Sequence, residues 1–171
     1  TRSSTRTLMA FPDFTAGVRN PIKRAAFVGD INGDGRGDIA LVSCTTSACS
    51  QQGLRVVFGR NDRPASLNPN TSSGASWAAS GLSAIFLWPH SAVGNVGGGS
   101  EGDFVVGLSD GRQVVVFGNS PIPNGLDLGT LSGSNGFAIT GLQGAASRQK
   151  VFGVGRFGSS LTRDTLAIIE Q

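Results

Sequence analysis

Asp30-Ile31-Asn32-Gly33-Asp34-Gly35-Arg36-Gly37-Asp38 is the stretch on which the reading of this chain turns. It carries oxygen side chains at its positions 1, 3, 5 and 9. A hard cation such as calcium takes about six to eight oxygens at about 2.3–2.6 Å. A loop that coils around one ion turns its odd-numbered residues inward. Asp30, Asn32, Asp34 and Asp38 are then the side-chain ligands. Arg36 supplies its carbonyl and points its side chain outward. Gly33 and Gly35 permit the sharp turns this path needs. The competing reading is a Gly- and Asp-rich turn without a metal, but carboxylates gathered in one loop repel each other unless a cation neutralises them.

The opening D-x-N-x-D-G pattern matches an EF-hand loop, yet the rest does not. Position 12 is Leu41, where that loop needs a bidentate Glu. The flanks Ala25-Ala26-Phe27-Val28 and Ile39-Ala40-Leu41-Val42 are short apolar runs, not long amphipathic helices. The loop therefore joins two strands.

The rest of the chain has the same texture. Of 171 residues 26 are Gly, and no segment sustains a 3.6-residue apolar period, so the apolar residues fall in short runs between Gly, Ser, Asn and Pro. That pattern predicts an all-β fold with many short strands. The net charge is +3, from scattered basic residues with few aromatics among them and no Tyr, so a nucleic-acid face is not indicated. No run of about 18 apolar residues exists, so no membrane-spanning helix is expected. Thr1 is not an initiator Met, which suits a processed product or a piece of something longer.

The nine-residue stretch recurs in degraded form. Gly29-Asp30 to Val42 aligns with Gly94-Asn95 to Gly107 at an offset of 65 residues, and with Gly155-Arg156 to Ile168 at a further 61. Each copy reads apolar run, Gly turn, loop, Asp, apolar run. Leu54-Arg55-Val56-Val57-Phe58-Gly59 matches Gln113-Val114-Val115-Val116-Phe117-Gly118, and Ala75 to Leu82 weakly matches Asn135 to Leu142. A period near 60 with four strands per unit suits a β-propeller blade.

With these residues in view, the chain resembles the FG-GAP repeat family, the blades of integrin α-like propellers. The Phe58-Gly59 and Phe117-Gly118 pairs and the Asp30–Asp38 loop carry the resemblance, while the Gly-Ala-Pro half of the signature leaves only Gly144-Ala145-Ala146. The resemblance implies one partial propeller over residues 1–171. Residues 24–82 form a first blade and 92–142 a second. Residues 150–171 supply the inner strands of a split blade, and 7–17 its outer strands. It further implies one structural Ca2+ held by Asp30, Asn32, Asp34, the Arg36 carbonyl and Asp38. The second copy keeps only Asn95 and Asp103, and the third only Asp164, so those carboxylates are expected to accept backbone N–H bonds within their loops instead. Propellers typically have about four to eight blades, so three should not close alone. The expected partner is therefore the rest of a longer propeller, or a second copy docked head to tail.

The remaining features are weaker. Cys44 and Cys49 fit a disulfide across a hairpin loop in an oxidising, extracellular setting, with two free thiols as the other reading. Arg36-Gly37-Asp38 spells an integrin-recognition tripeptide, but Asp38 cannot readily serve both a cation and a receptor. Trp77, Trp88 and His90 are the candidates for a ligand pocket, against the ordinary reading of packing tryptophans and a surface histidine. No paired carboxylate, triad or phosphate loop is present. The expectation is a non-catalytic, secreted or cell-surface calcium-binding module for adhesion or surface and matrix assembly. The alternatives are a glycan-binding, lectin-like propeller and an accessory domain of a secreted enzyme.

Overall fold

A computed structural model describes residues 22–44, 50, 52–62, 74–78, 85–86, 91–119, 121–131, 133–143, 148–156 and 162–169. The expected outer strands at 7–17, together with Trp88, His90 and Cys49, lie outside the described residues. The described chain is all-β, in three small antiparallel sheets. Among the described residues no helix is long and apolar enough to cross a membrane.

Sheet A is a meander of β1 (Ile22–Gly29), β2 (Asp38–Cys44), β3 (Gln52–Val57) and β4 (Gly74–Ala78), in that spatial order. Sheet B contains β5 (Ile85–Phe86), β6 (Ala92–Gly94), β7 (Asp103–Leu108), β8 (Gln113–Val116) and β9 (Gly136–Ile139). Both β5 and β6 pair with β7, β5 near its end and β6 near its start. They share the edge that β1 occupies alone in sheet A. The second unit thus begins before residue 92, because Ile85 and Phe86 pair with Leu108 and Gly107. Sheet C contains β10 (Lys150–Gly153) and β11 (Leu166–Ile169).

Burial shows how the sheets are placed. Along β1 exposed and covered residues alternate, as they should in a strand with one face in a core. Along β7 and β8 every residue is buried, which requires cover on both faces. The two cores match. Ala26, Val28, Ala40, Val42, Leu54 and Val56 of sheet A pack against Phe104, Val106, Leu108, Val114 and Val116 of sheet B. On the opposite face of sheet B, Val93, Val105 and Val115 pack with Val151, and Leu166 joins them. Sheet B is therefore the middle layer of a stack A–B–C. The first strands lie along one line of contact, β1 against β6 and β6 against β10.

The repeat seen in the sequence is a repeat in backbone shape. Gly29 and Gly94 end β1 and β6, and Gly155 follows the end of β10 by two residues, with φ of 82°, 80° and 75°. That left-handed conformation strains any side chain with a Cβ, which explains why the same residue type stands at all three positions.

Candidate loop site between the first two strands

The nine-residue stretch is the β1–β2 connection. Its oxygens are engaged by the loop's own amides. Asp30 accepts from the Asp34 N–H at 3.1 Å and the Gly35 N–H at 2.8 Å. Asn32 Oδ1 accepts from the Asp34 N–H at 3.3 Å, and Asp34 Oδ1 from the Arg36 N–H at 2.9 Å. These are the local bonds by which Asp and Asn hold turns. Among the described residues no three His, Cys, Asp or Glu side chains form a group that could hold a metal ion.

Asp38 differs from the other three. It is fully buried. Its Oδ2 accepts from the Ile31 N–H at 2.9 Å and its Oδ1 from the Gly59 N–H at 2.8 Å. Burial raises its pKa, the two amides oppose that rise, and the charges of Asp34 and Asp30 reinforce it. The carboxylates are thus close enough to repel one another. The Arg36-Gly37-Asp38 tripeptide presents no carboxylate to a receptor, because Asp38 faces inward.

Arg36 departs from expectation. Its side chain does not point away from the loop but folds across it. Nε donates to Asn61 Oδ1 at 2.8 Å, and Nη1 donates to the Asp34 carbonyl at 3.3 Å, with Asp34 Oδ2 3.6 Å away. A carboxylate-rich loop draws in the nearest cation, and here that cation is its own arginine.

The second loop repeats the Asp38 arrangement with no ligand set around it. Asp103 is buried, and its Oδ2 accepts from the Val96 N–H at 2.7 Å and the Gly97 N–H at 2.6 Å. Its Oδ1 accepts from the Gly118 N–H at 2.9 Å. This is the in-loop role expected for it. Asp164 behaves differently, since its Oδ2 accepts from the Asn95 N–H of the preceding loop at 2.7 Å.

The Phe-Gly pairs acquire a physical role here. Gly59 and Gly118 donate to equivalent carboxylates, Asp38 and Asp103. Neither tolerates a Cβ. At Gly59 it would stand 2.7 Å from the Gly37 carbonyl oxygen and 2.6 Å from Arg36 Cβ. At Gly118 it would collide with the equivalent carbonyl, that of Gly102. The pair is thus a latch: glycine lets the chain approach the loop, and its N–H grips the aspartate. The sequence marks the Phe-Gly pairs and the loop separately. Their link required the register that places Val57 opposite Ile39 and Val116 opposite Phe104.

Adjacent loops also bond to each other. The Gly102 N–H donates to the Asp30 carbonyl at 2.7 Å, and the Asn119 N–H to the Ile31 carbonyl at 2.9 Å. One junction further on, the Asp164 N–H donates to the Asn95 carbonyl at 2.7 Å. The first and second loops thus each take a main-chain bond from the following loop.

Of the other candidates, Cys44 ends β2 and is fully buried. No free cysteine occurs among the described residues. Trp77 lies in β4 opposite Leu54. Comparison with family models, with curated proteins and with solved structures returns no match.

Proposed function

We propose that this chain is a non-catalytic scaffold of FG-GAP-like propeller blades, fastened by one calcium ion at its first loop and working outside the cell in adhesion or surface assembly. The carrying observation is the β1–β2 loop. The sequence pattern of this connection recurs at three sheets, and only the first copy carries hard oxygen side chains at positions 1, 3, 5 and 9. Asp30, Asn32, Asp34 and Asp38, with the Arg36 carbonyl, suit calcium in kind, and these five groups would reach its complement of about six to eight oxygens with a bidentate carboxylate or water. Burial is the main cause of the raised Asp38 pKa, and the charges of Asp34 and Asp30 add to it; that added repulsion is what a divalent cation relieves. Calcium, when bound, supplies charge neutralisation and a fixed point for the strand connection. The chain's own residues do the rest, since Asp38 ties the loop to Gly59 and the Asp30 carbonyl ties it to the next sheet.

An oxidising compartment is supported by Cys44. It is buried at the mouth of a short loop, and we assign it a disulfide with Cys49. No reaction is assigned to the scaffold.

Thermal unfolding with calcium and with chelator tests the reading. A ligand at about 100 times its Kd stabilises by about 2.7 kcal/mol. For a chain of this size that raises Tm by about 5–10 °C. Asp34→Ala should abolish the rise, because it removes a ligand and leaves the Asp38 latch in place. An unchanged midpoint in chelator would remove calcium from the proposal.

A further inference from the structure

Among the described sheets, the stack A–B–C ends on the outer face of A, where Leu41 of β2 and Val57 of β3 are buried and β1 is the exposed margin, and on the outer face of C. All five large apolar side chains that are exposed among the described residues lie on these end sheets. Phe27 on β1 is 52% exposed, whereas Phe152 and Val154 on or just after β10 are 38% and 42% exposed. On β11, Ile169 pairs with Lys150 and shares the outer side with Phe152, whereas Ile168 pairs with Val151 and shares the side that faces sheet B. The middle sheet contributes none. On each end sheet the outward apolar side chains include one on the first strand, Phe27 on β1 and Phe152 on β10.

We propose that the outer face of sheet C in one copy of the chain docks on the outer face of sheet A in a second copy, head to tail. The proposal rests on the blade reading above and adds the occupant and the contact. The two junctions inside the chain define the geometry. At each, first strand meets first strand, β1 with β6 and then β6 with β10. The next member of that series is β10 with the β1 of another copy, and these strands carry Phe152 and Phe27. The main-chain bond continues in the same way. Gly102 donates to the carbonyl of Asp30, and Asp164 to that of Asn95. Arg156 is the third residue of the Asp30, Asn95 series and follows Gly155, whose φ of 75° repeats that of Gly29 and Gly94. Its carbonyl is the next acceptor, and the amide of Gly37 or Asp38 in the second copy is the next donor.

The contact is heterologous, because different patches meet. Such contacts close into rings when the rotation allows and run on as filaments when it does not. Two copies supply six of the described sheets, which on the blade reading proposed above lies within the range of about four to eight in which propellers close. Closure with two copies is therefore the form expected.

Sedimentation equilibrium of the 171-residue chain tests this over micromolar concentrations. The expected mass is twice the 17.5 kDa of one chain. Phe27→Asp and Phe152→Asp should each return the single-chain mass. Each variant should retain its strand spectrum by circular dichroism, and Phe152→Asp, on sheet C, should also retain the calcium-dependent Tm shift, whereas Phe27 lies against Gly37 of the first loop and its variant is read by mass and spectrum alone. That shift reports on the scaffold reading separately from docking. A mixture of the two variants should associate again, since one keeps a working C face and the other a working A face. A wild-type chain that stays at 17.5 kDa while folded overturns the proposal. So does a dimer that survives both substitutions, or a mixture no more associated than its components.

Discussion

Removing the Asp103 carboxylate should cost this fold more than any change on its surface. Asp103 is 2% exposed and accepts three backbone amides, from Val96, Gly97 and Gly118. It thereby ties the first connection of sheet B to the strand end after β8. In Asp103→Ala all three donors lose their acceptor. A buried donor left unsatisfied costs about 1–3 kcal/mol, but Val96, Gly97 and Gly118 are only partly buried and water can reach some of them. Taking one amide at full cost and two at about half gives roughly 4 kcal/mol. The ionised carboxylate also carries a burial cost, part of which its removal returns. The expected net loss is about 3 kcal/mol. Asp103→Asn keeps one acceptor oxygen and should lose about half as much.

Urea unfolding followed by tryptophan fluorescence measures both variants. With a slope of about 1–3 kcal/mol per molar, a loss of this size moves the midpoint by about 1 M or more while the slope stays constant. An alanine variant within about 0.5 kcal/mol of the parent, the ordinary range for surface changes, would refute the latch. Equal losses for alanine and asparagine would show that volume rather than acceptance matters.

Burial holds the Asp103 carboxyl above the ordinary aspartate value against the pull of its three amides, and Asp164 adds to the rise. The folded state therefore binds this proton at higher pH than the unfolded state does. Its contribution to stability is greatest below the unfolded value and falls as pH rises through the folded one. The stability difference between the parent chain and Asp103→Asn, measured without calcium from pH 7 down toward pH 4, should accordingly shift in favour of the parent; a shift the other way would contradict the burial argument. Gly118→Ala should destabilise by about 1–3 kcal/mol, since its Cβ meets the Gly102 carbonyl and the loop must move aside, and Gly59→Ala should do the same through Gly37. A thermal-melt change of less than 2 °C for both, below the shift that about 1 kcal/mol produces, would refute the close approach. Arg36→Gln should strengthen calcium binding, read by titration calorimetry, because the guanidinium competes for Asp34; its effect on chelated stability should stay below about 1 kcal/mol, as for other exposed ion pairs.

Much of the fold was legible in sequence because it repeats. The short apolar runs gave an all-β chain, and the recurring Gly before each loop marks a backbone conformation that only the absence of a Cβ makes easy. The unbroken run Phe104-Val105-Val106 could have identified sheet B as the middle layer, since a strand covered on one face alternates and this one does not. Less legible were contacts between distant segments. Nothing near Asp164 in sequence shows that it reaches Asn95, because that bond exists only once sheet C has packed on sheet B. The Arg36 side chain was misplaced for a related reason. Alternation along a coiled loop assigns direction by position, whereas a guanidinium on a flexible stem follows the nearest carboxylate.

The comparison of the loops separates two functions that the opening stretch merges. The ligand positions 1, 3 and 5 change from Asp30, Asn32 and Asp34 to Asn95, Gly97 and Gly99 in the second loop. The final aspartate does not change, and in both loops it holds its own loop and the glycine of the Phe-Gly pair by the same bonds. A loop without the ligand set thus folds to the same latch. The aspartate is therefore the architectural element, and the three upstream oxygens are an addition to a connection that already stands. Calcium at the first loop would tighten that connection without creating it. Loss of the ion should lower the melting temperature and leave the strand content intact, whereas loss of the latch aspartate should reach the sheet itself.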